Sequence, residues 1–144
     1  MSERSKKSPG VATGDVLKWV ATGYRLEGKL EAALAPLGLS LAKLNVLSHL
    51  SEAKRSLSLS EIADRLKCVR SNVTQLVDRL EAEGLVRRLS DPSDRRTVRA
   101  ELTELGSEKQ QEGAKALNQT GKELAALLST ADITALERLS TALE

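Results

Sequence analysis

Between Leu85 and Gly106 the chain reads LVRRLSDPSDRRTVRAELTELG, which sets Arg87, Arg88, Arg95, Arg96 and Arg99 around a turn containing Pro92. Guanidinium groups gathered on a short exposed turn suit contact with phosphates. Immediately upstream, RSNVTQLVDRLEAEG spaces Val73, Leu76, Val77 and Leu80 at i, i+3, i+4 and i+7. The face opposite that apolar stripe carries Ser71, Gln75 and Asp78, flanked by Thr74 and Arg79. These are hydrogen-bonding types able to read base edges, and none is a large apolar group seeking a protein partner. A merely solvated helix face would have the same composition, so the neighbouring arginine-rich turn decides between the two readings.

Other chemistries lack their residues. His49 is the one histidine, no Cys/His/Asp/Glu set has metal-ligand spacing, and no G-x-S-x-G, P-loop or paired-carboxylate arrangement occurs. The sequence therefore predicts neither an enzyme nor a cofactor or metal site. Cys68 is the sole cysteine and cannot form an internal disulfide. It precedes a helix start and lies close in sequence to Arg65, Lys67 and Arg70, an environment that lowers a thiol pKa, so redox sensing stands beside simple packing of the turn.

The elements that must position these residues are mostly helical. Residues 1–12 are polar and aperiodic and read as a flexible arm. From about 13 to 34, Val16, Trp19, Gly23, Leu26, Leu30 and Ala33 recur at steps of three and four, with Leu17, Val20 and Tyr24 beside them, predicting a helix ended by Pro36 and Gly38. Ser40 caps a second helix bearing Leu44, Leu47 and Leu50, and SEAKRS follows as a polar connection. Ser58 and Glu61 have capping-box spacing before a short helix, 59–67, with Leu59, Ile62, Ala63 and Leu66 inward. After a tight connection comes the helix of Val73 to Leu80, with Gly84 as its left-handed cap. Two short helices so joined form a helix-turn-helix. Leu85–Leu89 and Thr97–Leu102 then read as strands of a hairpin, with Val98, Ala100 and Leu102 alternating with Arg99 and Glu101. A hairpin in that place is a wing. Thr103 starts a long helix to about 128, in which Gly113 and Gly121 suggest close approach by another helix, and Ser129 to Asp132 caps a last one carrying Ile133, Leu136, Leu139 and Leu143.

Net charge is +2 but unevenly placed: Lys54 to Arg99 hold eleven basic and seven acidic residues, whereas residues 100–144 hold four and eight. A basic middle suggests a polyanion contact confined to it. Phe is absent, so the core must come from Leu, Val, Ile and Ala, which suits helix-mediated dimers. No run of about 18 apolar residues occurs, and the first residues lack a signal-peptide apolar region, so a cytoplasmic protein with no membrane association is expected.

The order of elements, together with NVTQLVDRLEAEGLVRR and DPSDRRTVRAELTELG, resembles the multiple antibiotic resistance regulator (MarR) family of winged helix-turn-helix transcription regulators; the second stretch fits that family's D-x-R wing signature followed by L-T-x-x-G. The resemblance implies a mainly α fold with a small β-hairpin. Its single domain would span 13–144, with dimerisation helices at 13–36 and 103–144 and a winged helix-turn-helix lobe at 40–102. It further implies a homodimer whose first, fifth and sixth helices interlock, two lobes on a palindromic operator in double-stranded DNA, and a repressor released by a small phenolic or anionic ligand. Trp19, Tyr24, Arg25 and His49 would line the effector pocket, unless they serve only core and surface. In the reading helix Ser71 and Gln75 are candidates for base contact, then Asn72 and Thr74, with Arg70 and Arg79 on phosphates. In the wing, Asp94 would orient the hairpin arginine, and Arg96, or else Arg95, would enter the minor groove. Arg87, Arg88 and Arg99 are candidates for phosphate contact or wing support. Where family members commonly carry Ser or Thr as the reading-helix cap this chain has Val69, so Ser71 caps that helix or its start is uncapped. Two alternatives accompany this reading: a redox-responsive regulator through Cys68, and a winged-helix protein-interaction module that does not bind DNA.

Overall fold

The computed structural model describes residues 10–66 and 72–144. Helix α1 spans Thr13–Leu34 and runs into a 3-10 turn, Ala35–Leu37. Gly38 then takes a left-handed φ of 71° and ends the helical path. That conformation is nearly free for glycine and strained for other residues. Helix α2, Leu41–Ala53, starts on Ser40, whose Oγ accepts the Lys43 N–H at 3.1 Å. Glu31 of α1 satisfies a second helix-start donor there, with its Oε1 accepting the Leu41 N–H at 3.1 Å.

The connection read as SEAKRS is shorter than expected. Ser51, Glu52 and Ala53 continue α2, and Lys54 closes it at φ 53°. Strand β1, Leu57–Ser58, follows at once and leads into α3, Leu59–Arg65, through the Ser58/Glu61 capping box. Helix α4 covers Val73–Ala82, β2 Val86–Ser90 and β3 Val98–Leu102. β2 and β3 pair antiparallel, with Arg88 opposite Ala100 and Ser90 opposite Val98. β1 adds to the other edge of β3, giving the order β1-β3-β2. A two-residue strand carries no periodic signal, so nothing in the sequence reading anticipated it. Helix α5, Glu104–Ala125, ends a few residues sooner than expected, and α6 is Thr130–Ala142, capped reciprocally by Ser129 and Asp132.

The core lies between α2, α3, α4 and the sheet, where Val46, Leu47, Leu57, Ile62, Val77 and Leu80 are fully buried. α5 packs on both α1 and α2. Gly113 is the point of closest approach on α5: a Cβ there would sit 2.8 Å from Leu44 Cδ1 and 2.9 Å from Leu39 Cδ1. Gly121 differs, with nothing of this chain within 4 Å of such an atom. Of the residues read as inward, Ala63 and the α6 set Ile133, Leu136, Leu139 and Leu143 are exposed on this chain, as is Val98, one of the alternating strand residues. Ala63 is exposed because α3 is too short to bury a second row beyond Ile62 and Leu66, and Val98 is exposed because it lies at the free end of the hairpin. Together α3, α4 and the β2/β3 hairpin form a winged helix-turn-helix arrangement.

One junction joins the end of α4, both wing strands and the start of α5. After α4 the Gly84 N–H donates to the Glu81 carbonyl at 2.9 Å and the Leu85 N–H to the Leu80 carbonyl at 2.9 Å, a Schellman ending with Gly84 at φ 74°. Thr103 caps α5 by accepting the Gly106 N–H at 3.0 Å, and its hydroxyl donates to the Gly84 carbonyl at 2.6 Å. Its own N–H donates to the Leu85 carbonyl at 3.2 Å. Gly106 lies flat against that carbonyl, so a Cβ would fall 1.8 Å from the Leu85 oxygen. This contact is with backbone and cannot yield by a rotamer change. Gly106→Ala is expected to destabilise the fold by about 3 kcal/mol, the upper range for overpacking. Urea unfolding at matched protein concentration checks this, and an unchanged midpoint would refute the close approach.

Candidate nucleic-acid interface

The outward surface of α4 and the hairpin tip are built by different means. At the helix start, Asn72 is the cap: its Oδ1 accepts the Gln75 N–H at 3.3 Å. The sequence reading had offered Ser71 or no cap, and Asn72 as a base contact; its carbonyl oxygen is engaged in the cap. Ser71, Arg70 and the candidate redox residue Cys68 lie outside the described residues. Leu76, Val77 and Leu80 point into the core, which turns Thr74, Gln75 and Arg79 outward. Their side chains make no hydrogen bond or ion pair among the described residues.

The hairpin tip is held through its backbone. Asp94 Oδ1 accepts the Arg96 N–H at 2.9 Å, its Oδ2 accepts the Thr97 hydroxyl at 3.1 Å, and its carbonyl accepts the Thr97 N–H at 3.0 Å. Asp94 was expected to orient an arginine side chain; in this structure it orients the peptide that carries one. The reason is local, since an Asp side chain two residues before a free N–H closes an Asx turn readily. Asp91 repeats the device one turn earlier, accepting the Ser93 N–H at 2.9 Å and the Ser93 hydroxyl at 2.6 Å. Arg95 and Arg96 are exposed, and their guanidinium groups make no hydrogen bond or ion pair among the described residues.

The remaining wing arginines are engaged within the protein. Arg87 pairs with Glu101 across the hairpin. Arg88 pairs with Asp78 on α4. Arg99 is a brace at the root of the wing. Its Nε donates to Ser56 Oγ at 3.0 Å, its Nη2 to the Ser56 carbonyl at 2.8 Å and Glu61 Oε2 at 3.2 Å, and its Nη1 to Asp91 Oδ2 at 3.2 Å. Wing support is therefore the role in which the structure places Arg99.

Glu61 is the centre of that brace. Hydrogen bonding from Arg55 at 2.8 Å, then from the Ser58 N–H at 2.8 Å, and the positive charges of Arg55 and Arg99 hold its carboxyl at about 2. Asp91 is lowered as well, first by its bonds from Ser93 and then by Arg99. The capping-box spacing of Glu61 was visible in the sequence. Its second duty, binding two arginines, was hidden because Arg99 is brought to it only by the pairing of β1 with β3, and Arg55, six residues upstream, reaches it across the short turn into β1.

The four candidate effector residues are not gathered into a cavity of this chain. Trp19 and Tyr24 are exposed on α1 by 61% and 70%, and Arg25 is exposed beside them. His49 lies on α2 with Nδ1 3.7 Å from Glu52. A cavity of about 410 Å³ between α1 and α5 is lined instead by Ala33, Pro36, Leu37 and Ala116 among others. Among the described residues no group of three His, Cys, Asp or Glu side chains is placed to hold a metal ion. No single described helix is long and apolar enough to cross a membrane.

The geometry has counterparts among known proteins. The MarR family model matches residues 39–98, which run from the start of α2 into the wing. An uncharacterized HTH-type transcriptional regulator of Bacillus subtilis, YkoM, is 46% identical over 35% of this chain and 32% of its own length. The HTH-type transcriptional repressor MdtR of the same organism is 34% identical over 61% of this chain and 56% of its own length. The chain thus spans between a third and somewhat over half the length of these curated relatives. The fold is similar over nearly its whole extent to Sco3205, a MarR family transcriptional regulator of Streptomyces coelicolor solved in complex with DNA. The TM-score is 0.80 at 26% identity, covering 93% of this chain and 91% of that one.

The brace predicts a definite acid response. The unfolded chain protonates Glu61 near its ordinary 4.5, whereas the folded chain holds it ionised to about 2, so the ion pairs stabilise the fold above 4.5 and that contribution is lost as pH falls toward about 2. The group is partly exposed, so solvent and salt reduce the effect. Thermal midpoints recorded across that interval are expected to fall more steeply for the parent than for Glu61→Gln. Parallel curves would remove Glu61 from the account.

Proposed function

Because the chain belongs to the MarR family of winged helix-turn-helix regulators, we propose that it binds double-stranded DNA as a homodimer and regulates transcription. The observation that carries this reading is the pair of guanidiniums, Arg95 and Arg96, on a turn locked by Asp94, which like the outward side chains of Thr74, Gln75 and Arg79 make no hydrogen bond or ion pair among the described residues. Gln75 presents a donor and an acceptor suited to adenine, Thr74 suits a phosphate or a thymine methyl, and Arg79 suits a phosphate. The contacts of Arg70, Ser71 and the remaining Asn72 amide belong to the same reading of the helix start. At the wing, Arg96 enters a narrow minor groove, where negative potential is focused, with Arg95 as the neighbouring contact. Arg87, paired across the exposed hairpin, remains available to phosphate at its outer side.

Dimerisation follows from what one chain leaves uncovered. Val16, Trp19 and Val20 of α1 and Leu136, Leu139 and Leu143 at the other end of the chain are exposed, an apolar surface that single soluble chains rarely carry. A two-fold pairing of residues 13–36 with 103–144 covers both ends at once and presents two winged lobes, at 40–102, to a palindromic operator. Repression by blocking a promoter is the simplest consequence, and the naming of MdtR as a repressor supports it. Release by a small phenolic or anionic ligand, bound near Trp19, Tyr24, Arg25 and His49, requires that the ligand prefer a dimer whose lobes are misplaced. A cytoplasmic location accompanies this function.

Two expectations follow. Arg96→Ala is expected to weaken binding to a selected operator about tenfold, on the order of 1–3 kcal/mol, and to leave the sedimenting mass unchanged; equal affinity in a gel-shift titration would reject the wing-tip role. Leu139→Asp is expected to shift the sedimenting species toward monomer and to abolish tight operator binding, and a variant that remains dimeric would exclude α6 from the interface.

A further inference from the structure

The sequence treats Arg88 as one more arginine of a basic wing, yet its surroundings set it apart from Arg95 and Arg96. Its Nη2 contacts Asp78 and donates to the Thr74 carbonyl at 3.4 Å, and its backbone N–H donates to Glu81 Oε2 at 3.0 Å. Thr74, Asp78 and Glu81 are separated by four and three residues, so they share one flank of α4. Strand β2 therefore grips the helix through three successive turns. The Nε of Arg88 is buried and without a hydrogen-bond partner among the described residues, so this part of the group is turned away from solvent. Gln75 and Arg79 lie one position further round the helix, on the adjacent outward strip, and their side chains have no partner among the described residues.

We propose that Arg88 is a positioning residue for DNA recognition: it fixes the flank of α4 to the wing and neutralises Asp78, without itself touching DNA. This rests on the DNA-binding reading above. An unpaired Asp78 carboxylate beside Gln75 and Arg79 would face a polyanion, and the unclamped helix would lose its fixed angle to the wing. Both effects bear on the sequence-reading side chains more than on general attraction to phosphate.

The experiment compares the parent, Arg88→Met, which keeps most of the aliphatic stem, Asp78→Asn, and the double variant. Each is titrated at several salt concentrations against a selected operator and a scrambled duplex. A phosphate contact would weaken binding to both duplexes alike and reduce the slope of log affinity against log salt by about 0.9. The clamp predicts instead that Arg88→Met weakens operator binding about tenfold and scrambled binding less than about twofold. It also predicts that the double variant, whose net charge equals the parent's, keeps the parent's salt slope. A reduced slope in the double variant, or equal losses on both duplexes, overturns the proposal.

Amide hydrogen exchange of the DNA-free protein supplies the second readout. Exchange across Val73–Ala82 is expected to rise in Arg88→Met and to rise no further in the double variant. Unchanged exchange overturns the clamp whatever the DNA result. A parent that selects no duplex, combined with raised exchange in Arg88→Met, would refute the DNA-binding reading and leave the clamp itself standing.

Discussion

The carbonyl of Leu85 is the fixed point on which the other placements depend. It accepts the Thr103 N–H, and the α-carbon of Gly106 lies against it, while the Thr103 hydroxyl reaches the neighbouring Gly84 carbonyl. One spot thereby sets where α4 stops, where the wing begins and ends, and where α5 departs. A side chain at residue 106 would drive α5 away from the wing root, and with it the surface through which α5 meets α1 and α2. The L-T-x-x-G pattern is thus a geometric requirement: a hydroxyl to cap and cross-link, and a missing Cβ three residues on.

From that point the wing is braced in two directions. Arg99 carries the far strand onto Ser56 and Glu61 at the start of α3, and Arg88 carries the near strand onto the flank of α4. Lys43 adds a third tie, from the start of α2 to Glu83 at the end of α4, at 2.6 Å. Such partly exposed pairs contribute little stability one by one. Their value lies in fixing the relative orientation of short elements whose shared core is small.

What could be read from the sequence was what local physics encodes. Periodicity located α1, α4 and α6, the caps Ser40, Ser58 and Ser129 marked helix starts to the residue, Thr103, read as the first helical residue, is the cap one position before α5, and Gly38 and Gly84 marked the ends. Several of the failures share a cause, a partner distant in sequence. β1 exists only because Leu57 and Ser58 meet Ala100 and Arg99 across the core. Arg87, Arg88 and Arg99 have the same composition-level signature as Arg95 and Arg96, and only the fold separates the three engaged guanidiniums from the two without a partner among the described residues. Asn72 as the α4 cap was concealed by neighbouring Ser71, an equally good cap by residue type. The effector residues remained ungrouped because helical spacing on α1 says which side chains share a face, and nothing about what covers that face.

The Asx turn at Asp94 has a consequence in entropy. It orders the backbone of the wing tip in advance and leaves the Arg95 and Arg96 side chains their rotamer freedom. Immobilising such a side chain costs about 0.5–1.5 kcal/mol on binding. In the proposed DNA-binding role, a surface that returns less than this would leave the tip's side chains loose, and only a groove narrow enough to return more would arrest them. In that role, the division between a rigid turn and unrestrained ends would let one loop serve both a rapid, undemanding search and a selective stop.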